Sequence, residues 1–308
     1  MSLPKNSGWL ALPFLLPNLA GFALFTAGPV LGSLLLSFCS WDLLTPPVWV
    51  GGRNFGELLG FVRDGTGHWQ ATDPRFWQYL WNTAVLLLNL PLSLAGSLGL
   101  ALLLNRRLPG MSVYRLIFFL PTVVSGVAVF YLWRWMLNPE AGLINTLLAA
   151  IGVSGPAWLS DPRWAKPAIL LMSFWLSVGG GGMLLYLAAL QQVPRELQEA
   201  AEIDGAGPWR SFLAVTWPAL RPVTFFMVTT GLIHGLQSGG EMAYIMTSGG
   251  PAGSTTTLGF YVFQKAYVQF DMGYAAAIAW VMFALVLGVT LLRWQKNSAQ
   301  FSGEEGGG

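Results

Sequence analysis

Charge is what this sequence has least of. Of its 308 residues only 10% are charged, against 54% hydrophobic. A soluble globular chain carries roughly 25% charged residues, so a water-facing surface of ordinary extent could not be covered and most of the surface must face lipid. The net charge of +2 is too small for a nucleic-acid binder. Cysteine is nearly absent. Cys39 alone excludes an internal disulfide framework and any multi-cysteine zinc site. Two histidines, His68 and His234, leave little for a histidine-ligated metal. The four lysines are Lys5, Lys166, Lys265 and Lys296, and none follows a glycine. A phosphate-cradling loop needs Gly-Lys-Ser/Thr, so this chain does not bind ATP in that way. H-E-x-x-H and G-x-S-x-G are missing as well.

What is present is long uncharged runs. A bilayer core about 30 Å thick takes about 20 apolar residues of helix. No Asp, Glu, Lys or Arg falls between Lys5 and Asp42, Arg75 and Arg106, or Arg115 and Arg134. The same holds from Lys166 to Arg195, Arg221 to Glu241, and Asp271 to Arg293. Six transmembrane helices are expected, at about 9–39, 78–105, 113–137, 165–191, 219–247 and 272–294, in an all-α polytopic membrane protein. Two further uncharged stretches, 141–160 and 242–264, are rich in Gly, Ser, Thr and Pro and read as loops or interfacial segments. The first span is too long for a signal-peptide core and no A-x-A site follows it, so it stays as a helix. Pro17 and Pro29 each remove a backbone donor and should kink it.

Lysine and arginine set the orientation. With the N-terminus in the cytoplasm, nine basic residues lie inside (Lys5, Arg106, Arg107, Arg115, Arg195, Arg210, Arg221, Arg293, Lys296) and seven outside. The outside seven are diluted through long segments, whereas Arg106, Arg107 and Arg115 crowd one short turn. Both termini are therefore placed inside. The domain plan has a cytoplasmic N-terminus at 1–8, a six-helix domain at 9–294 and a cytoplasmic tail at 295–308. The tail, ending Gly303-Glu304-Glu305-Gly306-Gly307-Gly308, reads as a flexible end. Trp77, Tyr79 and Trp81 open one span, and Tyr131, Trp133 and Trp135 close the next. Rings there form an aromatic belt at headgroup level; the sharper alternative is stacking on a sugar in a translocation path.

One cytoplasmic loop, within 193–220, differs from the rest. Four of the fourteen acidic residues fall in it: Glu196, Glu199, Glu202 and Asp204. Glu196 and Glu199 lie in the first turns after Pro194, where the helix dipole favours negative charge. Gly205 and Gly207 then break the helix and Pro208 starts another. A short helix, a tight turn and a second helix entering the membrane follow. Such a loop could be a plain solvated connector. The spacing argues otherwise: Glu199-Ala200-Ala201, three residues, Gly205, nine residues, Val215, and then Pro218.

That is the EAA pattern, and with it the chain resembles the membrane subunits of binding-protein-dependent ABC importers, within them the carbohydrate group that includes the maltose and glycerol-3-phosphate permeases. The likeness extends along the chain, through Gly51-Gly52-Arg53-Asn54-Phe55, Phe76-Trp77 with Asn82-Thr83, Leu120-Pro121, and Gly142-Leu143-Ile144-Asn145 with Trp158-Leu159-Ser160-Asp161-Pro162. It continues in Thr247-Ser248-Gly249-Gly250-Pro251 and Gly273-Tyr274-Ala275-Ala276-Ala277. Trp217 stands where the family usually has Leu. Gly239-Gly240-Glu241 follows Gln237-Ser238 where an aromatic and an Asp are usual, and the large outer insertion of the enteric maltose permease is missing. The resemblance implies a type I ABC importer permease fold in a bacterial or archaeal plasma membrane. It implies a homologous second permease subunit, two ATPase subunits and an extracytoplasmic solute-binding protein as partners. It implies no cofactor in this chain, with ATP and Mg held by the ATPases, and it makes Glu199, Ala200, Ala201, Asp204 and Gly205 the ATPase-coupling residues.

For the substrate path, His234, Gln237, Ser238 and Glu241 are spaced to share one face of the fifth span. Ionisable groups inside a membrane are expensive and face a cavity or a partner. This face is either a polar wall for sugar hydroxyls or a set of interhelical hydrogen bonds; the resemblance favours the wall. Asn82 and Asn89 in the second span are further candidates. Gly179-Gly180-Gly181-Gly182 allows close helix packing or a hinge. Gly231, Gly235, Gly239 and Gly240 read as a packing face. A neutral sugar is the expected substrate, because a phosphorylated one, such as glycerol-3-phosphate, would want Arg or Lys in the path. The alternatives are an ABC importer for glycerol-3-phosphate or another polar solute, half of a gradient-driven transporter, for which only His234 and Glu241 qualify as relay groups, and an intramembrane enzyme, for which no constellation is visible. The orientation has a direct test: Glu202→Cys should be labelled only from the cytoplasmic side and Asp64→Cys only from outside. Labelling of Glu202→Cys by an impermeant reagent on intact cells would invert the topology.

Overall fold

A computed structural model describes residues 8–106, 109–237 and 239–304, with side chains over 14–292 of these. Lys5, Arg107, Ser238 and most of the 1–8 segment lie outside the described residues, as do the last residues of the tail and the side chains of Arg293 and Lys296. The chain divides into two compact units.

The first unit comprises Met1–Pro74 and Val262–Ala284. Its first span is α1 (Gly8–Phe22), a π turn (Ala23–Ala27) and α2 (Gly28–Leu36). The π turn sits directly before Pro29, so the kink expected from proline takes the form of a widened turn. Gly28 N–H bonds Ala23 O, one residue further back than in an α-helix. A small hairpin, β1 (Cys39–Ser40) with β2 (Val48–Trp49), and the helix α3 (Arg53–Leu59) follow. Asn54 fixes them: its amide donates to Ser37 O and Cys39 O, at 2.8 and 2.9 Å. In the hairpin turn Asp42 accepts the N–H and hydroxyl of Thr45 and the N–H of Leu44, which hold its carboxyl below the ordinary range. A second hairpin pairs β3 (Phe61–Arg63) with β4 (Trp69–Ala71).

The second unit comprises Arg75–Tyr261 and Leu285–Gly308. Helices α4 (Pro74–Leu86) and α5 (Asn89–Leu104), separated by a turn at Leu87–Leu88, make one span. Next come α6 (Met111–Val123) and α7 (Gly126–Met136), bent by 95° at Val124–Ser125, where both residues are extended. α8 (Leu143–Ala150) is a short helix inside the stretch expected to be a loop or interfacial segment. α9 (Pro162–Val178) and α10 (Gly181–Gln191) meet at 41° across Gly179–Gly180. α11 (Arg195–Ile203), α12 (Pro208–Ser211), a π turn (Phe212–Thr216) and α13 (Trp217–Gln237) complete the next segment. The chain then breaks, and α14 (Gly240–Thr247) follows. The expected single helix over 219–247 is thus two, because Gly239 takes φ +132°, a conformation reserved for glycine. In the stretch expected to be a loop or interfacial segment after it, α14 is joined by α15 (Leu258–Phe263) and a π turn (Gln264–Val268). The last helix is α16 (Met272–Glu304).

Among the described residues four helices are long and apolar enough to cross a membrane outright, and the number rises to six if each of the two bent pairs is one span. The core of the second unit has two parts. Ala101, Leu104, Met183, Tyr186 and Leu220 join α5, α10 and α13. Val129, Trp133, Met172 and Met246 join α7, α9 and α14. Polar links are sparse and interhelical: Ser97 donates to Val178 O at 3.0 Å, and the Tyr186 and Thr224 hydroxyls are 3.1 Å apart.

The four-glycine run serves both purposes. It breaks the span between α9 and α10, and it lets backbones touch, since a Cβ on Gly179 would collide with Phe118 O. Gly179→Val should therefore destabilise the protein by ~1–3 kcal/mol, the usual range for overpacking. Gly181→Val, with no atom near its would-be Cβ, should cost much less. Thermal unfolding in detergent separates the two.

Candidate functional site

The acidic loop folds as its sequence requires. Pro194 caps α11, Glu196 stands in its first turn, and the helix ends at Asp204. Gly205 then takes φ +76°. Ala206 N–H reaches Ala201 O at 2.9 Å and Gly205 N–H reaches Glu202 O at 3.0 Å, the paired bonds of a Schellman stop. Glu199, Ala200, Asp204 and Gly205 are exposed and Ala201 is half-buried. Large apolar side chains stand beside them in the open: Ile203 is 86% and Trp209 72% exposed. Trp209 stacks on Phe212 with ring centres 5.7 Å apart, at the start of the helix that follows the corner. Exposed Leu197, Ile203 and Trp209 on a segment full of charge form the kind of mixed surface that partners cover.

A second feature lies where helices are interrupted. A cleft of about 540 Å³ opens beside the α4–α5 turn, the C-terminal end of α9 and the break between α13 and α14. Its lining includes Asn89, Ser93, Ser173, Ser177, Gln237 and Glu241 among apolar residues such as Leu86, Phe130 and Met172. Interrupted helices suit a polar path, because backbone freed from a helix must line a cavity or find another partner. Among the described lining residues Glu241 is the sole ionisable group.

Of the four residues expected to share a face, three are described, and they do not lie on one helix. Gln237 ends α13, Glu241 lies in α14, and the break at Gly239 separates them; both still line the cleft. His234 is exposed and outside the lining. Ser238 lies outside the described residues. Asn82 and Asn89 also part company. Asn82 is 1% exposed and donates to Gly253 O and Thr256 O at 2.8 and 3.0 Å, a structural role. Asn89 faces the cleft, with its Oδ1 buried and unpartnered. Sequence reasoning missed Ser93, Ser173 and Ser177. The available signal was a pair of serines four apart in an apolar run, which places them on one helical face. No group of three or more metal-ligating side chains occurs among the described residues.

Residues 93–300 match the family described as binding-protein-dependent transport system inner membrane component. The chain belongs to this family. It is a permease component, not an enzyme, and a multi-pass membrane protein. It is similar to the probable ABC transporter permease protein YesP of Bacillus subtilis, at 37% identity over 92% of this chain and 89% of that protein. The lactose transport system permease protein LacF of Rhizobium radiobacter is 36% identical over 94% of this chain and 93% of its own length. A solved structure of a bacterial ABC transporter involved in the import of the acidic polysaccharide alginate matches with a TM-score of 0.80, covering 94% of this chain and 96% of that one at 24% identity. The type I permease fold follows.

The two asparagines give a contrast for this family member. Asn82→Leu removes the donor to the buried Thr256 O as well as one of two donors to Gly253 O, which should cost ~1–3 kcal/mol. Asn89→Leu removes no such donor and should leave the melting temperature nearly unchanged. Differential scanning of the two purified variants checks this.

Proposed function

We propose that this chain is one of two related permease subunits of an ATP-driven sugar importer. The cleft beside Asn89, Gln237 and Glu241 is its part of the path, and the α11–α12 corner is its contact with an ATPase. The observation that carries the reading is the exposed corner at Glu199–Gly205, displayed by a chain of this permease family. Ala200, Ala201 and Gly205 keep the surface low, so that a partner backbone can come close. Glu199 pairs with a basic group there, and Asp204 ends the helix at the docking edge.

A helix seated in a groove moves as one body with its partner. Closure of two ATPases on ATP and Mg would rock the membrane helices between inward- and outward-facing forms. The helix interruptions at Leu87–Leu88, Gly179–Gly180 and Gly239 lie around the cleft, where such a movement needs joints. Sugar as cargo is supported by relatives such as the lactose permease protein, and by a cleft that sets a few polar groups among apolar walls. A binding protein outside would deliver it, and a bacterial or archaeal plasma membrane, with both termini and the 193–220 loop in the cytoplasm, would house the assembly. A phosphorylated cargo finds no basic side chain among the described cleft residues.

Reconstitution with both permease subunits, the ATPases and the binding protein tests each part. Gly205→Val forces a β-branched residue into left-handed geometry, at ~1–2 kcal/mol, and thickens the docking edge. ATP hydrolysis should continue while uptake falls about tenfold. Gln237→Ala and Glu241→Ala should each lower uptake with assembly intact. Robust uptake by this chain alone would contradict the assembly, and unchanged uptake in both cleft variants would remove the cleft from the path.

A further inference from the structure

We infer that the cytoplasmic end of α5 and the first turns of α6 hold the phosphate headgroup of an anionic phospholipid, recognised by Arg106 and Arg115. This site is independent of the cargo. In the proposed orientation both arginines stand at the inner leaflet. Arg115 reaches across from α6 and donates from one Nη to Leu104 O, the last residue of α5, at 3.0 Å. Arg106 follows two residues later and is exposed. Arg115 is half-buried, and its Nε is buried with no hydrogen-bond partner. Among the described residues neither arginine has a carboxylate within 4.0 Å; the ion pairs there are Arg53–Glu57 and Lys265–Asp271. Glu196, Glu199, Glu202 and Asp204 lie on the same side of the membrane and do not reach them. A partly desolvated cation without a counter-charge is costly, and an anion at its open side removes that cost. Phosphate suits the place, since guanidinium N–H groups bind it in pairs.

The surface that leads to the arginines makes the anion a lipid. One face of α5 is packed, through Ser93, Ser97, Ala101 and Leu104. The exposed face runs through Leu92, Ala95, Gly99 and Leu103 and ends at Arg106. Steps of three and four keep these residues on one side of the helix. Leu92 is 54% and Leu103 57% exposed. Between them Ala95 and Gly99 leave a shallow notch, and a Cβ on Gly99 would meet nothing within 4 Å. An acyl chain lies along this lane while the headgroup meets the arginines at its end. A soluble anion gains nothing from the lane. Basic groups at the cytoplasmic ends of neighbouring spans are suited to anionic headgroups for the same two reasons, charge and an apolar approach.

Native mass spectrometry of the assembled importer, delipidated in detergent, tests the site. Phosphatidylglycerol, phosphatidylcholine and inorganic phosphate are titrated in turn. Phosphatidylglycerol should bind at least about tenfold more tightly than phosphatidylcholine. Arg106→Gln and Arg115→Gln should each lower that preference about fivefold, the effect of one basic group at an anionic membrane surface. Arg106 is exposed, so its variant keeps the fold even if the Arg115 variant does not. Gly99→Leu fills the notch with both arginines in place and should weaken both lipids alike. Inorganic phosphate should not displace the lipid. Equal binding of the two lipids, a preference unmoved in Arg106→Gln, or binding unmoved in Gly99→Leu overturns the inference. Displacement by phosphate alone overturns it in favour of a soluble anion. Weakened ATPase binding by Arg106→Gln, with lipid binding unchanged, overturns it in favour of an acidic segment of the ATPase. All of these outcomes leave the sugar path standing.

Discussion

Backbone carbonyls that no helix can satisfy govern this structure. In an apolar setting each unbonded carbonyl is costly, and a chain with 10% charged residues has few long polar side chains to spare. Three asparagines carry the load. Asn54 ties Ser37 O to Cys39 O, Asn82 ties Gly253 O to Thr256 O, and Asn145 ties Pro139 O to Pro156 O. One amide group has two protons, so each asparagine clamps two points of a loop at once. Trp158 completes the last clamp by donating to Asn145 Oδ1 at 2.7 Å. Glycines support two of the clamps by removing the side chain that would be in the way: a Cβ on Gly273 would strike Cys39 O beside Asn54, and one on Gly155 would strike Asn145.

The clamps hold the ends, and so the spans can be broken in the middle. Helices that are pinned only by their own hydrogen bonds unravel when interrupted. Here the segment after α14 is anchored to α4 through Gln78, Asn82 and Thr83, with Thr83 Oγ1 accepting from Leu258 N–H at 3.0 Å. That leaves the break at Gly239 free to open a polar pocket without loosening its surroundings. The α11 corner follows the opposite logic. It is closed by its own Schellman bonds, and it turns its apolar residues outward.

Much of the fold was legible because the missing charge is itself a signal. Each uncharged run overlaps one of the four long apolar helices or one of the two bent pairs, although the fifth helix starts back at Pro208, ahead of Arg210 and Arg221, and stops at Gln237; Gly205 with Pro208 marked the turn that the loop makes. The parts that were not legible depend on tertiary choices. The 95° bend at Val124–Ser125 has only a Ser125-Gly126 pair to announce it, four residues beyond Pro121. The corner at Gly239 was hidden by the even spacing of His234, Gln237 and Glu241, which suits a helix perfectly well until a glycine declines to join it. Asn82 and Asn89, seven apart on one span, look interchangeable; only the loop packed on α4 makes one a clamp and the other a wall. The serines of the cleft read as ordinary packing residues, since only the fold sets them around it.

The first span carries a further consequence in its π turn. A π turn holds one residue more than the α repeat needs, and here the surplus sits just before Pro29, whose ring would otherwise press on the carbonyl four residues back. Surplus and proline are thus a matched pair. Losing one residue from Ala23–Ala27 alone would turn the preceding helix by about 100° about its axis and present a different stripe to its surroundings. Losing the residue together with Pro29's ring would leave a straight helix with nothing to relieve. Changes at these two places should therefore travel together through the history of such chains, as a length change coupled to a substitution.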